Sequence, residues 1–257
     1  MKPVNQKVSN GSVLIMRIMV TAGIFLLWEL AAVQAWIDPA YVGRPSGIFN
    51  SLVSGLIKEG DVWGELGWTL SATFLAFALG SLTAVIVGML FVLFPTLEKV
   101  FEPLLAAMNA MPRIALAPLL IVWFGLGMGS KIAIGFSLTF FIVLQAAVAG
   151  GRGINQDHVT LSRTLGLSPS RLFWKVTMPG AVPVMFAGLR LGLVASLLGV
   201  VGGEIIASER GLGQKVAYLA AAFDMNGVWA LLFVLAFAGI LLSWALDRME
   251  AWLLRWQ

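Results

Sequence analysis

Residues 162–192 read "SRTLGLSPSRLFWKVTMPGAVPVMFAGLRLG", a basic run broken by Gly and Pro. It interrupts a chain of 257 residues that is 59% hydrophobic and only 12% charged, with a mean hydropathy of +0.91. A soluble domain carries about a quarter charged residues. Several apolar runs here reach the roughly 20 residues with which a helix spans a bilayer. The fold class is therefore all-α, a polytopic membrane protein. A stretch this polar must lie where the chain leaves the membrane.

Outward from it, the apolar runs place about six transmembrane helices, near 14–36, 66–94, 103–125, 131–150, 185–207 and 227–247, in a single transmembrane domain over 1–257. With the N-terminus inside, the inner segments hold Lys2, Lys7, Arg17, Lys99, Arg152, Arg163, Arg171, Lys175, Arg248 and Arg255. The outer segments then hold only Arg44, Lys58, Lys131, Arg210 and Lys215, with Arg113 and Arg190 left in spans. The excess of Lys and Arg belongs inside, so both termini and the loop at 155–182 are expected in the cytoplasm. The net charge of +4 thus reflects orientation in lipid, and no nucleic-acid partner is expected. The first apolar run has no A-x-A cleavage site and reads as an uncleaved span. Trp28, Trp36, Trp63, Trp68 and Trp123 fall near outer boundaries, and Trp252 and Trp256 near the inner one, as in an aromatic belt. Gly80, Ala84 and Gly88 form a small-residue face for close helix packing. In the outer loop, Ser46 can cap a short helix carrying Ile48, Leu52, Leu56 and Ile57 along the interface.

The opening stretch itself divides into two short helices. Asp157 caps the first, which runs to Leu165, and Gly166 supplies the left-handed residue that ends it. Ser168 caps the second with Pro169 in its first turn, and Pro179 and Gly180 stop it. Each is too short to cross a membrane. A rigid amphipathic helix–Gly–helix knuckle of this kind is suited to a groove on another protein. A basic loop that only enforces topology is the alternative.

Chemistry is largely excluded. With no cysteine there is no disulfide or thiolate metal site, and the single His158 cannot build a histidine cluster. There is no P-loop, so ATP hydrolysis by that route is not a property of this chain. No nucleophile–base–acid set is evident.

The loop, together with "LLWEL", "GRPSGIFNSL", "MPRIALAPLLIVWFGLG", "GGEIIASERGLG" and "EAWLLRW", resembles the ABC importer permeases of the nitrate/sulfonate/taurine group over nearly the whole chain. The resemblance implies a type I, MetI-like fold and a transport subunit rather than an enzyme, in the inner membrane of a bacterium. It implies a second copy of the chain, two ATP-binding cassette subunits that bind ATP and Mg, and an extracytoplasmic solute-binding protein. No cofactor is expected in this chain. It also implies a small polar or anionic solute, sulfonate-, nitrate- or taurine-like, or a heterocyclic vitamin precursor. Coupling to the ATPase would fall on Thr160, Ser162, Arg163, Gly166, Ser168, Arg171, Phe173 and Trp174. The Glu-Ala-Ala that names the family's loop is replaced by Thr160, Leu161 and Ser162, a departure that removes a carboxylate.

Two further places draw attention. Pro112 and Pro118 are expected to kink the third span around Arg113, and an ionisable residue within a span faces an interior or a watery cavity. Asn109, Met111 and Arg113, together with Glu204, are the candidates for the substrate path; Arg113 snorkelling to the surface or pairing with Glu102 is the alternative. Glu204, in "VGGEII", is either an outer-gate residue or a plain interfacial carboxylate, and Glu29 a hydrogen-bonding residue near the outer boundary. An ion-coupled secondary transporter acting without an ATPase stays open as a rival. It calls for internal repeats and mid-membrane carboxylates, and neither is evident here.

Overall fold

A computed structural model describes residues 10–59 and 61–255; Lys2, Lys7 and Trp256 lie outside them, as does the Lys58 side chain. Twelve α-helices are present among the described residues. Helix α1 (Asn10–Val33) is the first span, and α2 (Pro39–Val42) and α3 (Pro45–Val53) fold the following loop. A π-helical turn (Ser54–Glu59) precedes the long span α4 (Asp61–Leu93). Next come α5 (Pro95–Ala110), a 3-10 turn (Arg113–Leu116) and α6 (Ala117–Phe124). Span α7 (Met128–Arg152) leads to α8 (Gln156–Thr164), α9 (Pro169–Leu172) and span α10 (Met178–Ile206). Helix α11 (Leu212–Ala221) and the last span α12 (Met225–Leu253) complete the chain.

Five helical segments are long and apolar enough to cross a membrane, and the α5–α6 pair adds a sixth, broken span. That span departs from the kinked helix expected of it. Its halves meet at 83°. Pro112 cannot donate a backbone hydrogen bond and holds Met111 in an extended conformation, so the helix stops and restarts rather than bending.

The core is the packing of α7 between α4 and α10. Lipid gives apolar side chains no reason to associate, so helices in membranes gain from close approach of small residues. A Cβ added to Gly80 would sit 2.9 Å from Thr139, one on Gly88 2.7 Å from Ala147, and one on Gly135 2.8 Å from Ala76. On the other face of α7, a Cβ on Gly188 would meet Ala146 at 2.1 Å. The small-residue face expected on α4 is therefore a contact face. Buried hydroxyls stitch the same helices: Thr139 Oγ1 donates to the Gly192 carbonyl and Ser196 Oγ to that of Thr73, each at 3.0 Å.

The outer loop differs from its expected form. Arg44, not Ser46, is the cap residue of α3, and Ser46 instead donates its amide (3.0 Å) and hydroxyl (2.7 Å) to Glu29. Glu29 is thus a hydrogen-bonding residue, as expected, placed where a carboxylate complements the helix N-terminus. Nor does α3 lie free along the interface. Ile48 is buried, and Gly47 closes on Asn226 at the start of α12.

Candidate functional site

The knuckle begins at Asn155, not Asp157, because the Asn155 side chain accepts from the Asp157 amide and caps α8. It ends as the sequence implies. Gly166 has φ +78°, the Gly166 amide donates to Arg163 and the Leu167 amide to Ser162, closing a Schellman turn. Ser168 precedes α9 without a side-chain cap bond, and Pro169 opens the helix.

The far end of the knuckle corrects the expectation. Pro179 and Gly180 do not stop the second short helix. A π-helical turn at Phe173–Thr177 joins α9 to α10, making one continuous helical segment from Pro169 to Ile206. Its i→i+5 bonding includes the Met178 amide to the Phe173 carbonyl. Pro179 then falls at the start of α10, where a missing N–H costs little. The knuckle is therefore not a separate pair of short helices. Its second half is the end of a span.

Phe173 is likewise corrected. It is 7% exposed and packs with Met89, Ala147, Ala181 and Met185, inside the chain's own core. Trp174 stands against it edge-to-face, with centroids 5.3 Å apart, yet is 65% exposed. Thr160, Arg163, Gly166, Ser168 and Arg171 are exposed too, and Ser162 half-buried. One aromatic braces the turn from inside and its neighbour faces out.

At the break in the third span, Arg113 is half-buried. Its Nη2 donates to Asn109 Oδ1 at 2.5 Å, and its guanidinium lies 4.3 Å from the Phe141 ring centroid on α7. Arg113 Nε is buried with no hydrogen-bond partner among the described residues. Pairing with Glu102 does not occur. Asn109 and Phe141 head a cavity of about 490 Å³ between α4, α5 and α7. Phe91 and Gln145 line it, Glu102 faces it, and the Glu98–Arg152 ion pair closes its other end. Met111 is exposed at the bend.

Glu204 is 1% exposed, which removes the interfacial alternative. Thr69 Oγ1 lies 3.0 Å from both carboxylate oxygens, and Oε2 accepts from the Gly213 amide at 2.8 Å. The Leu212 amide donates to Thr69 at 2.9 Å. Gly211 has φ +110°, and any Cβ there would lie 2.2 Å from Glu204 Oε1. The turn after α10 is wrapped around this carboxylate, which accepts from the Thr69 hydroxyl and the Gly213 amide.

Lys131, counted above among outer-loop charges, is instead fully buried in the first turn of α7. Its Nζ donates to the carbonyls of Leu126 and Ala207, both at 2.6 Å, and to Ser130 Oγ at 3.2 Å. All three ammonium hydrogens have acceptors, so the charge staples the α6–α7 turn to the end of α10. Thr69, Lys131 and Phe141 escape sequence reasoning because each depends on a partner far along the chain, Glu204, Ala207 and Arg113 respectively. Arg190, the other cation left in a span, joins Asp247 and Glu250 of α12, each at 2.6 Å.

This all-helical fold, with its broken span and its knuckle fused to a span, is shared with solved MetI-like ABC transporter permeases. The fold matches the permease chain of a methionine ABC transporter in inward-facing conformations with a TM-score of 0.65 at 19% identity, covering 74% of this chain and 94% of that one. An amino acid ABC transporter crystallised with histidines gives 0.63 at 14% identity, covering 80% and 98%.

Residues 76–256 match the family described as binding-protein-dependent transport system inner membrane component, and the chain belongs to it. It is the permease subunit of an ABC importer of the inner membrane. The taurine transport system permease protein of Escherichia coli K12 is 30% identical, covering 89% of this chain and 84% of that protein. The formylaminopyrimidine transport permease protein of Halalkalibacterium halodurans is 29% identical, covering 91% and 92%. A riboflavin transport system permease protein of Chloroflexus aurantiacus is 34% identical, covering 63% and 60%.

Proposed function

We propose that this chain pairs with a second copy of itself to form the path for a small oxyanionic solute. Two ATP-binding subunits, which carry the ATP and Mg, engage one knuckle each. A solute-binding protein delivers the solute at the opposite face. The single permease domain lies with both termini in the cytoplasm, the side favoured by the Lys and Arg count.

The observation that carries the substrate reading is Arg113. Its guanidinium keeps its charge at any physiological pH and its planar fork suits sulfonate, carboxylate or phosphate oxygens. It holds Asn109 and stacks on Phe141, both of which line the cavity, and its buried Nε–H has no acceptor among the described residues. The names of relatives that transport taurine and aliphatic sulfonates support the same class. A second reading, an anionic heterocycle, is favoured by Phe91 and Phe141, which line that cavity and could stack on a ring. On the path, Asn109, Met111 and Arg113 meet the solute. Glu204 acts from outside it, by holding the turn after α10 in place.

Coupling falls on the exposed residues Thr160, Ser162, Arg163, Gly166, Ser168, Arg171 and Trp174, with Phe173 bracing them from inside. The continuous helical segment from Pro169 to Ile206 supports this reading, since it leads without a break from α9 into the membrane.

The test is purification and uptake. The wild-type chain should co-purify with a soluble ATPase and drive uptake of taurine or an alkanesulfonate. Arg113→Gln should keep the ATPase and lose uptake. A chain that transports alone, without an ATPase, would establish the ion-coupled alternative instead. Normal uptake by Arg113→Gln would overturn the anionic-solute reading.

A further inference from the structure

Helix α5 meets the rest of the bundle through few side chains: Glu98 pairs with Arg152 of α7, and Phe101 stacks on Phe91 of α4. None of its residues is buried, although Val100, Phe101, Leu104 and Met108 are all apolar. It is joined to α6 through Met111 and Pro112, where the backbone is extended and no helical hydrogen bond crosses the 83° bend. One side-chain bond does cross it. Asn109 is in the last turn of α5 and Arg113 opens the next turn, so the Arg113–Asn109 bond spans the bend. Arg113 is in turn fixed to α7 by its stacking over Phe141. The far side of the bend is fixed as well, because Lys131 ties the turn after α6 to the end of α10.

The donors of Arg113 are unevenly used. Nη2 is bonded to Asn109, while the buried Nε–H has no acceptor among the described residues. A buried donor without an acceptor costs about 1–3 kcal/mol. An oxyanion seated along the Nε–Nη2 edge would satisfy Nε–H and draw on the same Nη2 that holds Asn109. The neutral amide oxygen of Asn109 is the weaker acceptor of the two. Asn109 also faces the cavity, so a solute there reaches the bond directly.

We infer that the Arg113–Asn109 bond is a latch across the bend of the third span, and that an oxyanionic solute entering the cavity displaces Asn109 and lets α5 turn about its junction with α4 at Phe94, near the Glu98–Arg152 pair, so that its Asn109 end moves against α6. This rests on the substrate reading above and adds to it a mechanical consequence: the solute unlocks the helix that lines its own path. Helix α5 has 16 residues, about 24 Å at 1.5 Å each, so a turn of about 10° about its α4 end moves its Asn109 end about 4 Å.

The chain has no cysteine, so spin labels can be placed at will. Leu104 on α5 and Val122 on α6 are 55% and 81% exposed and suit a label pair across the bend. The experiment is a pulsed spin–spin distance measurement on Leu104→Cys/Val122→Cys, with one labelled copy per assembled transporter, in nanodiscs of zwitterionic lipid. Probes are ethanesulfonate and, as its neutral counterpart, ethyl methyl sulfone. Ethanesulfonate should shift the mean distance by about 3 Å or broaden it, and the sulfone should not. Asn109→Ala should show the shifted distribution without any probe, and Arg113→Gln should not respond to ethanesulfonate.

An unchanged distribution with ethanesulfonate, or Asn109→Ala indistinguishable from wild type, overturns the latch. A shift produced by anionic lipid alone assigns the displacing oxyanion to a headgroup and also overturns the solute-gated form. Uptake by wild type and Arg113→Gln, measured separately, tells failure of the latch from failure of the substrate reading.

Discussion

Gly166 offers the cleanest test of the knuckle, because its surroundings contribute nothing to the outcome. A Cβ placed there meets no atom within 4 Å, so substitution creates no clash. What remains is backbone. At φ +78° an ordinary L-residue pays about 1–2 kcal/mol, and a β-branched one pays more. Gly166→Val should therefore reduce the population of the native Schellman turn by at least about 5- to 30-fold relative to its alternatives. The cost is local, since Gly166 is exposed and outside the spans, so insertion and detergent stability should be unchanged. Gly166→Asn is the matched control, because Asn tolerates the left-handed conformation. The assay is retention of the ATPase during purification, quantified per permease, together with ATP-dependent uptake. Val should lose most of both, and Asn should keep most of both. If Val retains the ATPase as well as Asn does, the conformation of this turn is irrelevant to docking and the coupling role of the knuckle fails.

Phe173→Ala should lower thermal stability, by about 3–5 kcal/mol if the buried site cannot collapse, whereas Trp174→Ala should leave stability alone and weaken ATPase retention. The reverse pattern in a melting curve and pull-down would put the docking aromatic on the wrong residue. Glu204→Ala leaves the Thr69 hydroxyl and the Gly213 amide without their acceptor, at about 1–3 kcal/mol each, and should free the turn after α10. Protease cleavage between 207 and 213 should then appear in the mutant, and its absence would show that the carboxylate is not what holds the turn. Gly188→Val should separate α7 from α10, since even a methyl would overlap Ala146. Folded yield should collapse in fluorescence-detected size exclusion; a wild-type profile would contradict the packing described.

What the sequence alone determined follows from local physics. Span number and apolar character are set by the solvent, because a bilayer demands about 20 apolar residues per helix whatever they later touch. The left-handed turn at Gly166 and the small-residue face at Gly80, Ala84 and Gly88 were equally legible, since each depends on the missing Cβ of glycine or the small side chain of alanine and on position along one helix. The family, too, was legible in the order of its motifs, and residues 76–256 match its description.

Tertiary structure alone decided what depended on distant partners. Pro179 was read as a stop, but the π turn and the burial of Phe173 against α4 and α7 carry the helix through it. Lys131 read as a loop charge; only the carbonyls of Leu126 and Ala207, brought together by the fold, make burying its ammonium tolerable. Ser46 looked like a cap until Glu29, from another helix, claimed its donors. Arg113 was visible as a cation in a span, yet its stacking on Phe141 and the sharpness of the break beside it are properties of packing. Backbone preference and hydropathy act over a turn or two of chain, whereas the fate of a buried charge is settled by whichever acceptors the folded bundle delivers to it.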